Sequence, residues 1–401
     1  MKRRDFIAAA AATLLPAMGN NEALAAPPAN LKKTPAKPAQ KNSTTTGKVA
    51  DPAQANESRV AAATLPDNPA SRWRTYDLTT RIEIRKTSGP TRLWLPLAMF
   101  NDASWQRALS HNWQGNFERA GIYRGPAAEM EVFTAEWQEG VAPKLELISQ
   151  IETQDRTFDV TKKHCAPERG EILRRNLQST ELMPINTKTR EIAERIVGRI
   201  KDPVAQGKAI YDWVADRAIR DPETPALVAG GIDAAPELAN ALGRNVGHAL
   251  LFVALCRAVG LPARPVFGLR VDYSRLLPSL GKIGELNRAF NCRAEFYAPG
   301  YDWIPVNPAD LRQAVLEEKL AADDGKLTVL RKLLFGYWEM NWIGLNTALE
   351  VTPRGSNSKP LPFLATPYVE NAEGVLDISD TERFNIRIKS QNRADKNHLC
   401  P

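Results

Sequence analysis

The chain has 401 residues, of which 43% are hydrophobic and 25% charged, and it carries a formal net charge of +7. That balance can fill the cores of two ordinary domains, and it excludes a chain disordered throughout. No stretch after the first thirty residues is long and apolar enough to span a bilayer. About +4 of the charge lies in the first seventy residues, so the remainder is only mildly basic and gives no argument for nucleic-acid binding.

Residues 1–25 read as an export signal. Lys2, Arg3 and Arg4 form a positive start, with Arg3-Arg4-Asp5-Phe6-Ile7 in twin-arginine form. An alanine-rich apolar run from Ile7 to Met18 follows, and Ala23-Leu24-Ala25 offers a small-x-small cleavage pattern near Ala25. The sequence therefore predicts a periplasmic protein. Residues 26–70, rich in Ala, Pro and Lys, bury too little apolar surface to offset their ordering entropy and are expected to be a disordered linker.

From residue 71 to 175 the pattern predicts a β-rich domain. Tyr76, Leu78, Thr80, Ile82 and Ile84 alternate with polar residues, the period of a half-buried strand. Leu93, Leu95 and Leu97 resume the alternation after Ser88-Gly89-Pro90, and Leu145, Leu147 and Ile151 mark a further strand. From Asn186 the period becomes helical. Ile192, Ile196, Val197 and Ile200 share one face, Asp202 and Pro203 open a second helix with Ile210, Trp213, Val214 and Ala218 as its stripe, and a third helix from about Asn245 stops at Gly260. Strands follow over 264–271, 292–297 and 303–306. Helices followed by successive strands imply an α+β domain, taken here as 176–385 with a tail over 386–401.

The cysteines (165, 256, 292 and 400) and histidines (111, 164, 248 and 398) form no disulfide framework and no metal-ligand spacing, so no cofactor or metal is expected.

Four blocks carry a resemblance. The run from Phe252 through Gly260-Leu261-Pro262-Ala263-Arg264, the strand Asn291-Cys292-Arg293-Ala294-Glu295-Phe296-Tyr297, the strand Trp303-Ile304-Pro305-Val306-Asn307-Pro308 and the segment Leu334–Trp342 resemble, in order and spacing, bacterial transglutaminase-like proteins. The resemblance implies a papain-like core, a helix packed on an antiparallel sheet, preceded by the β-rich domain. It also implies a cysteine nucleophile at the start of the central helix, a histidine base and an aspartate to orient it. Those positions fall at Asn245, Asn291 and Asn307.

An amide neither ionises near neutral pH nor offers a thiolate. Loss of the orienting carboxylate alone costs roughly 10⁴ in rate in a serine triad. The ordinary acyl transfer is therefore expected to be absent. Cys256 would sit roughly 16 Å along the helix axis from Asn245, and Cys292 faces away from Asn291, so both read as core residues.

Two accounts of the asparagines stay open. Asn245 can cap the central helix while Asn291 and Asn307 hydrogen-bond one another, or the three can line a polar pocket for an amide-bearing peptide or protein ligand of the cell envelope. His248, Glu295 and Trp303 are expected neighbours of the cleft, Trp338 and Trp342 can wall it, and a salt bridge is expected for Glu295. The alternative function is an enzyme acting on peptide or isopeptide bonds through another group, with His248 or Glu295 taking part.

Overall fold

In a computed structural model, the described residues are 73–99, 104–125, 130–222, 246–281, 286 and 289–393. The expected export signal, the expected linker and Asn245 lie outside them. The alternating segments form β1 (Arg74–Ile84), β2 (Thr91–Pro96), β3 (Gln106–Gly115), β4 (Arg119–Arg124), β5 (Glu131–Trp137) and β6 (Lys144–Thr153). Two late segments join them: β13 (Tyr368–Asn371) with β14 (Gly374–Val375), and β15 (Phe384–Asn392).

One sheet runs in the order β15-β1-β6-β3, the other β14-β13-β2-β5-β4. Ile82, Ile84, Leu145, Leu147 and Phe384 from the first sheet meet Leu93, Leu95, Phe133, Trp137 and Val369 from the second. The result is a sandwich whose inner faces exclude water.

The expected boundary at 385 needs correction. β15 pairs antiparallel with β1 from Phe384↔Ile84 to Asn392↔Tyr76. The stretch expected as a tail thus supplies a strand, because β1 would otherwise be left with unpaired backbone groups on that side.

The second layer system holds α1 (Gly170–Arg175), α2 (Thr187–Val197), α3 (Pro203–Arg220) and α4 (Val246–Ala258). The sheet carries β8 (Ala263–Arg270), β9 (Phe290–Ala298), β10 (Asp302–Val306) and β12 (Trp342–Asn346). α5 (Pro308–Glu318) and α6 (Gly325–Leu333) follow β10, and the short strands β7 (Arg156–Thr157) and β11 (Tyr337–Trp338) pair with each other. Local chemistry sets the helix starts: Asn186 caps α2 through Thr189 N–H (2.9 Å), and Asp202 caps α3 through Ala205 N–H (2.8 Å) with Pro203 following. Gly260, at φ +84, closes α4.

The sheet order is β10-β9-β8-β12, antiparallel throughout. α4 is apolar nearly all round and fully buried from Ala249 to Cys256. It packs with Cys292, Ala294, Phe296 and Ala298 of β9 in one core. The odd-numbered residues of β9 therefore face the other way. The two systems join through Tyr76, Leu78, Ile151 and Ile388 of the sandwich and Leu269, Val271, Ile343 and Leu345 of the core sheet. Beside that seam, Gln106 acts like an extra strand residue: its Nε2 donates to Gly344 O (2.7 Å) and its Oε1 accepts from Gly344 N–H (2.8 Å).

Candidate functional site

α4 runs from the Asn291 end of β9 to its Ala298 end. Its last turn passes Gly260 to Pro262, whose carbonyl accepts from Tyr297 N–H (2.8 Å), and Ala263 then faces Phe296 in β8. The first turn of α4 is thus at the Asn291 end of β9.

Asn291 is 8% exposed. Its Oδ1 accepts from the Trp342 indole Nε1–H at 2.5 Å. Trp342 stands in β12, two strands away, and its ring crosses β8 above Gly268. A Cβ there would lie 2.4 Å from the ring and 2.2 Å from Ile343 O, so glycine alone permits the crossing. Asn307 is fully buried and caps α5, with Oδ1 accepting from Asp310 N–H at 3.3 Å.

Both donors are N–H groups that cannot accept, which fixes the orientation of each amide. The expected pairing of Asn291 with Asn307 does not form. Each Nδ2 is buried without a partner among the described residues, although Val306 opposes Ala294 and so sets Asn307 diagonal to Asn291.

His248 lies in the first turn of α4, 1% exposed, with neither ring nitrogen bonded to any of the described residues. Burial lowers its pKa to about 3, and the charges of Arg312 and Arg217 add to the effect while Asp221 opposes it. It is a neutral imidazole at ordinary pH. Arg293, between Asn291 and Glu295, is buried with its guanidinium 4.5 Å from the Trp342 ring centre, and burial takes its pKa down to about 10 against the pull of Asp310.

Glu295 is paired, as expected. Its carboxylate receives Arg156 Nη1 and Arg264 Nε, each at 2.5 Å. Burial opposes its charge, but the two guanidiniums outweigh burial and hold its pKa below the ordinary value. It shares a strand face with Asn291 yet serves a different neighbourhood, next to Trp303. Trp303, Trp338 and Trp342 are 7%, 1% and 1% exposed, so packing accounts for them.

Cys256 and Cys292 are buried, and burial pushes both thiols up, away from thiolate formation. Among the described residues no group of three His, Cys, Asp or Glu side chains is gathered as metal ligands would be.

Sequence reasoning missed Arg156 and Asp302. Arg156 sits in a segment without periodicity, and Asp302 is distinguished only by its left-handed backbone (φ +64). Arg264 stood inside a quoted motif, but its place against Glu295 depends on the β8–β9 register.

Residues 190–308 match the family model of the transglutaminase-like superfamily. The chain is also similar to an uncharacterised protein of Haemophilus influenzae, 28% identical over 333 residues that cover 77% of this chain and 88% of that protein. Two solved structures resemble it at lower similarity. A candidate cysteine protease from Cytophaga hutchinsonii is 14% identical with a TM-score of 0.49, covering 80% of this chain and 91% of that one. The periplasmic domain of TgpA from Pseudomonas aeruginosa is 15% identical with a TM-score of 0.30, covering 63% and 92%.

Proposed function

We propose that this chain, which carries a transglutaminase-like domain, is a non-catalytic binding protein of the periplasm whose partner is a peptide or protein of the cell envelope. The observation that carries the reading is the pair Asn291 and Asn307. Asn291 in β9 and Asn307 just after β10 fall where the resemblance implies a base and its orienting acid, and their oxygens accept from Trp342 Nε1–H and Asp310 N–H. Neither side chain can take up a proton at neutral pH.

The surrounding groups support the same reading. Burial raises both core thiols away from thiolate formation, His248 has no hydrogen-bond partner among the described residues, and the Glu295 carboxylate is bound by two arginines. A buried polar constellation retained without a titrating base suits recognition better than acyl transfer. The proposed location rests on the export signal read in residues 1–25.

Two measurements test the proposal. Iodoacetamide labelling of the full chain near pH 6, with each cysteine mapped by mass spectrometry, is expected to be uniformly slow. One rapidly labelled cysteine would restore an enzyme reading with that residue as nucleophile. The triple variant Asn245→Cys, Asn291→His, Asn307→Asp is expected to gain a reactive thiol at position 245. A soluble triple variant without it would sink the assignment of the three positions.

A further inference from the structure

On the face of the core sheet away from α4, a cavity of 560 Å³ opens where the 154–165 segment and the start of β3 overhang β8, β9 and β10. That volume falls in the range of small-ligand sites. Its floor is built from Arg264, Glu295, Pro305 and Trp303, and Trp105 and Arg156 form part of its wall.

The floor is charge-unbalanced. One carboxylate, Glu295, lies between two guanidiniums, and both arginines are mostly buried, with side chains 14% and 17% exposed. Arg156 is further spent on Trp303 O (2.7 Å) and lies over the Trp338 ring (4.6 Å). Arg264 is held differently: its Nε donates to Glu295, and its guanidinium carbon lies over the Trp303 ring, 3.8 Å from the ring centre. Both Nη groups of Arg264 have no partner among the described residues. A guanidinium fixed at Nε and stacked on an indole presents its Nη pair in one geometry, the arrangement that receives a planar carboxylate.

The rim carries the opposite imbalance. Asp302 follows the β9–β10 turn, and no cation stands within ion-pair distance of its carboxylate among the described residues. Partial burial and the nearby Glu295 raise its pKa, against the pull of Arg156. The other rim acid, Asp159, already has Lys162 at 3.6 Å. Tyr301, Phe158 and Trp105 add aromatic surface that is only partly buried.

We infer that this cavity binds a short zwitterionic peptide, with its terminal carboxylate on Arg264 Nη1/Nη2, its terminal ammonium on Asp302, and its side chains against Trp105 and Tyr301. The surplus positive charge on the floor and the unpaired negative charge on the rim each find a partner only in a ligand that carries both signs. The site is separate from Asn291 and Asn307, and it stands whether or not those positions are silent.

Isothermal titration of the full chain with trialanine tests this. Saturable binding is expected, weakened on the order of tenfold when the ammonium is blocked in N-acetyl-trialanine, and similarly in trialanine amide. Asp302→Asn keeps a residue that tolerates the left-handed backbone, so the fold is retained. It is expected to weaken trialanine to the same degree while leaving N-acetyl-trialanine unchanged. Arg264→Gln supplies the matching test against the amide.

No binding of trialanine at millimolar concentration overturns the proposal. Equal binding of free and blocked peptides overturns it too, as does an unaltered Asp302→Asn affinity. Preferential binding of N,N′-diacetylchitobiose would assign the cavity to a saccharide instead.

Discussion

Asn307 and Asn291 show how one residue type meets two different local demands. At 307 the amide does what asparagine does at many helix starts, accepting from a backbone N–H of the first turn. At 291 it accepts from an indole that reaches it across a glycine. In both, the oxygen is used and the nitrogen is buried and unpaired among the described residues.

His248 carries the clearest pH consequence at this scale. Its folded pKa, about 3, lies below the value near 6.5 of an unfolded chain, so the unfolded state binds more protons between those limits. Stability must then fall as pH drops through that window, with Arg217 and Arg312 resisting protonation and Asp221 favouring it. Replacing His248 by Leu removes the titration. Between pH 7.5 and 5 the wild type is expected to lose about 2 kcal/mol more than the variant in denaturant melts. Parallel pH profiles would show that His248 is not buried neutral.

At the scale of elements, close approach of α3 to the sheet depends on Gly207. A Cβ at that position would stand 2.4 Å from the Phe296 ring, which itself packs at 5.9 Å on Phe252 of α4. Glycine within a helix costs about 1 kcal/mol relative to alanine, whereas overpacking a filled core costs about 1–3 kcal/mol. Packing wins here, because Phe296 is fully buried and has α4 behind it. Gly207→Ala is therefore expected to lower the melting temperature despite its better helix propensity, and a raised one would show that Phe296 can move aside.

Much at this scale was legible beforehand. The alternation from Tyr76 to Ile84 and the Asp202-Pro203 start appear where expected, since each depends on neighbours two to four residues away. The Gly207 contact was not legible. It couples a helix to a strand some ninety residues later, and the glycine itself reads only as a weak point in a helix.

For the whole molecule, the return of the chain to its first strand has the largest consequence. β15 lines β1 over nine register pairs, and Phe384 and Ile388 are buried in the sandwich and the seam beneath it. A chain truncated after Thr381 is expected to lose the single cooperative thermal transition of the full-length protein, where removal of a free tail would leave it unchanged. An unaltered melting curve would refute the structural role of the strand.

The sequence by itself determined the succession of strands and helices, the resemblance of its core to the transglutaminase-like superfamily, and the absence of ionisable groups at 291 and 307. These follow from local periodicity, from capping chemistry and from residue identity, none of which requires distant contacts. Tertiary structure alone decided that Trp342 reaches Asn291, that Arg156 joins Arg264 on Glu295, that the last strand closes on the first, and that an open cavity lies on the sheet face away from α4. Each of these brings together residues 31 to about 300 positions apart. Such pairings are fixed by strand register and by burial of shared apolar faces, and these are properties of the folded assembly rather than of any one segment.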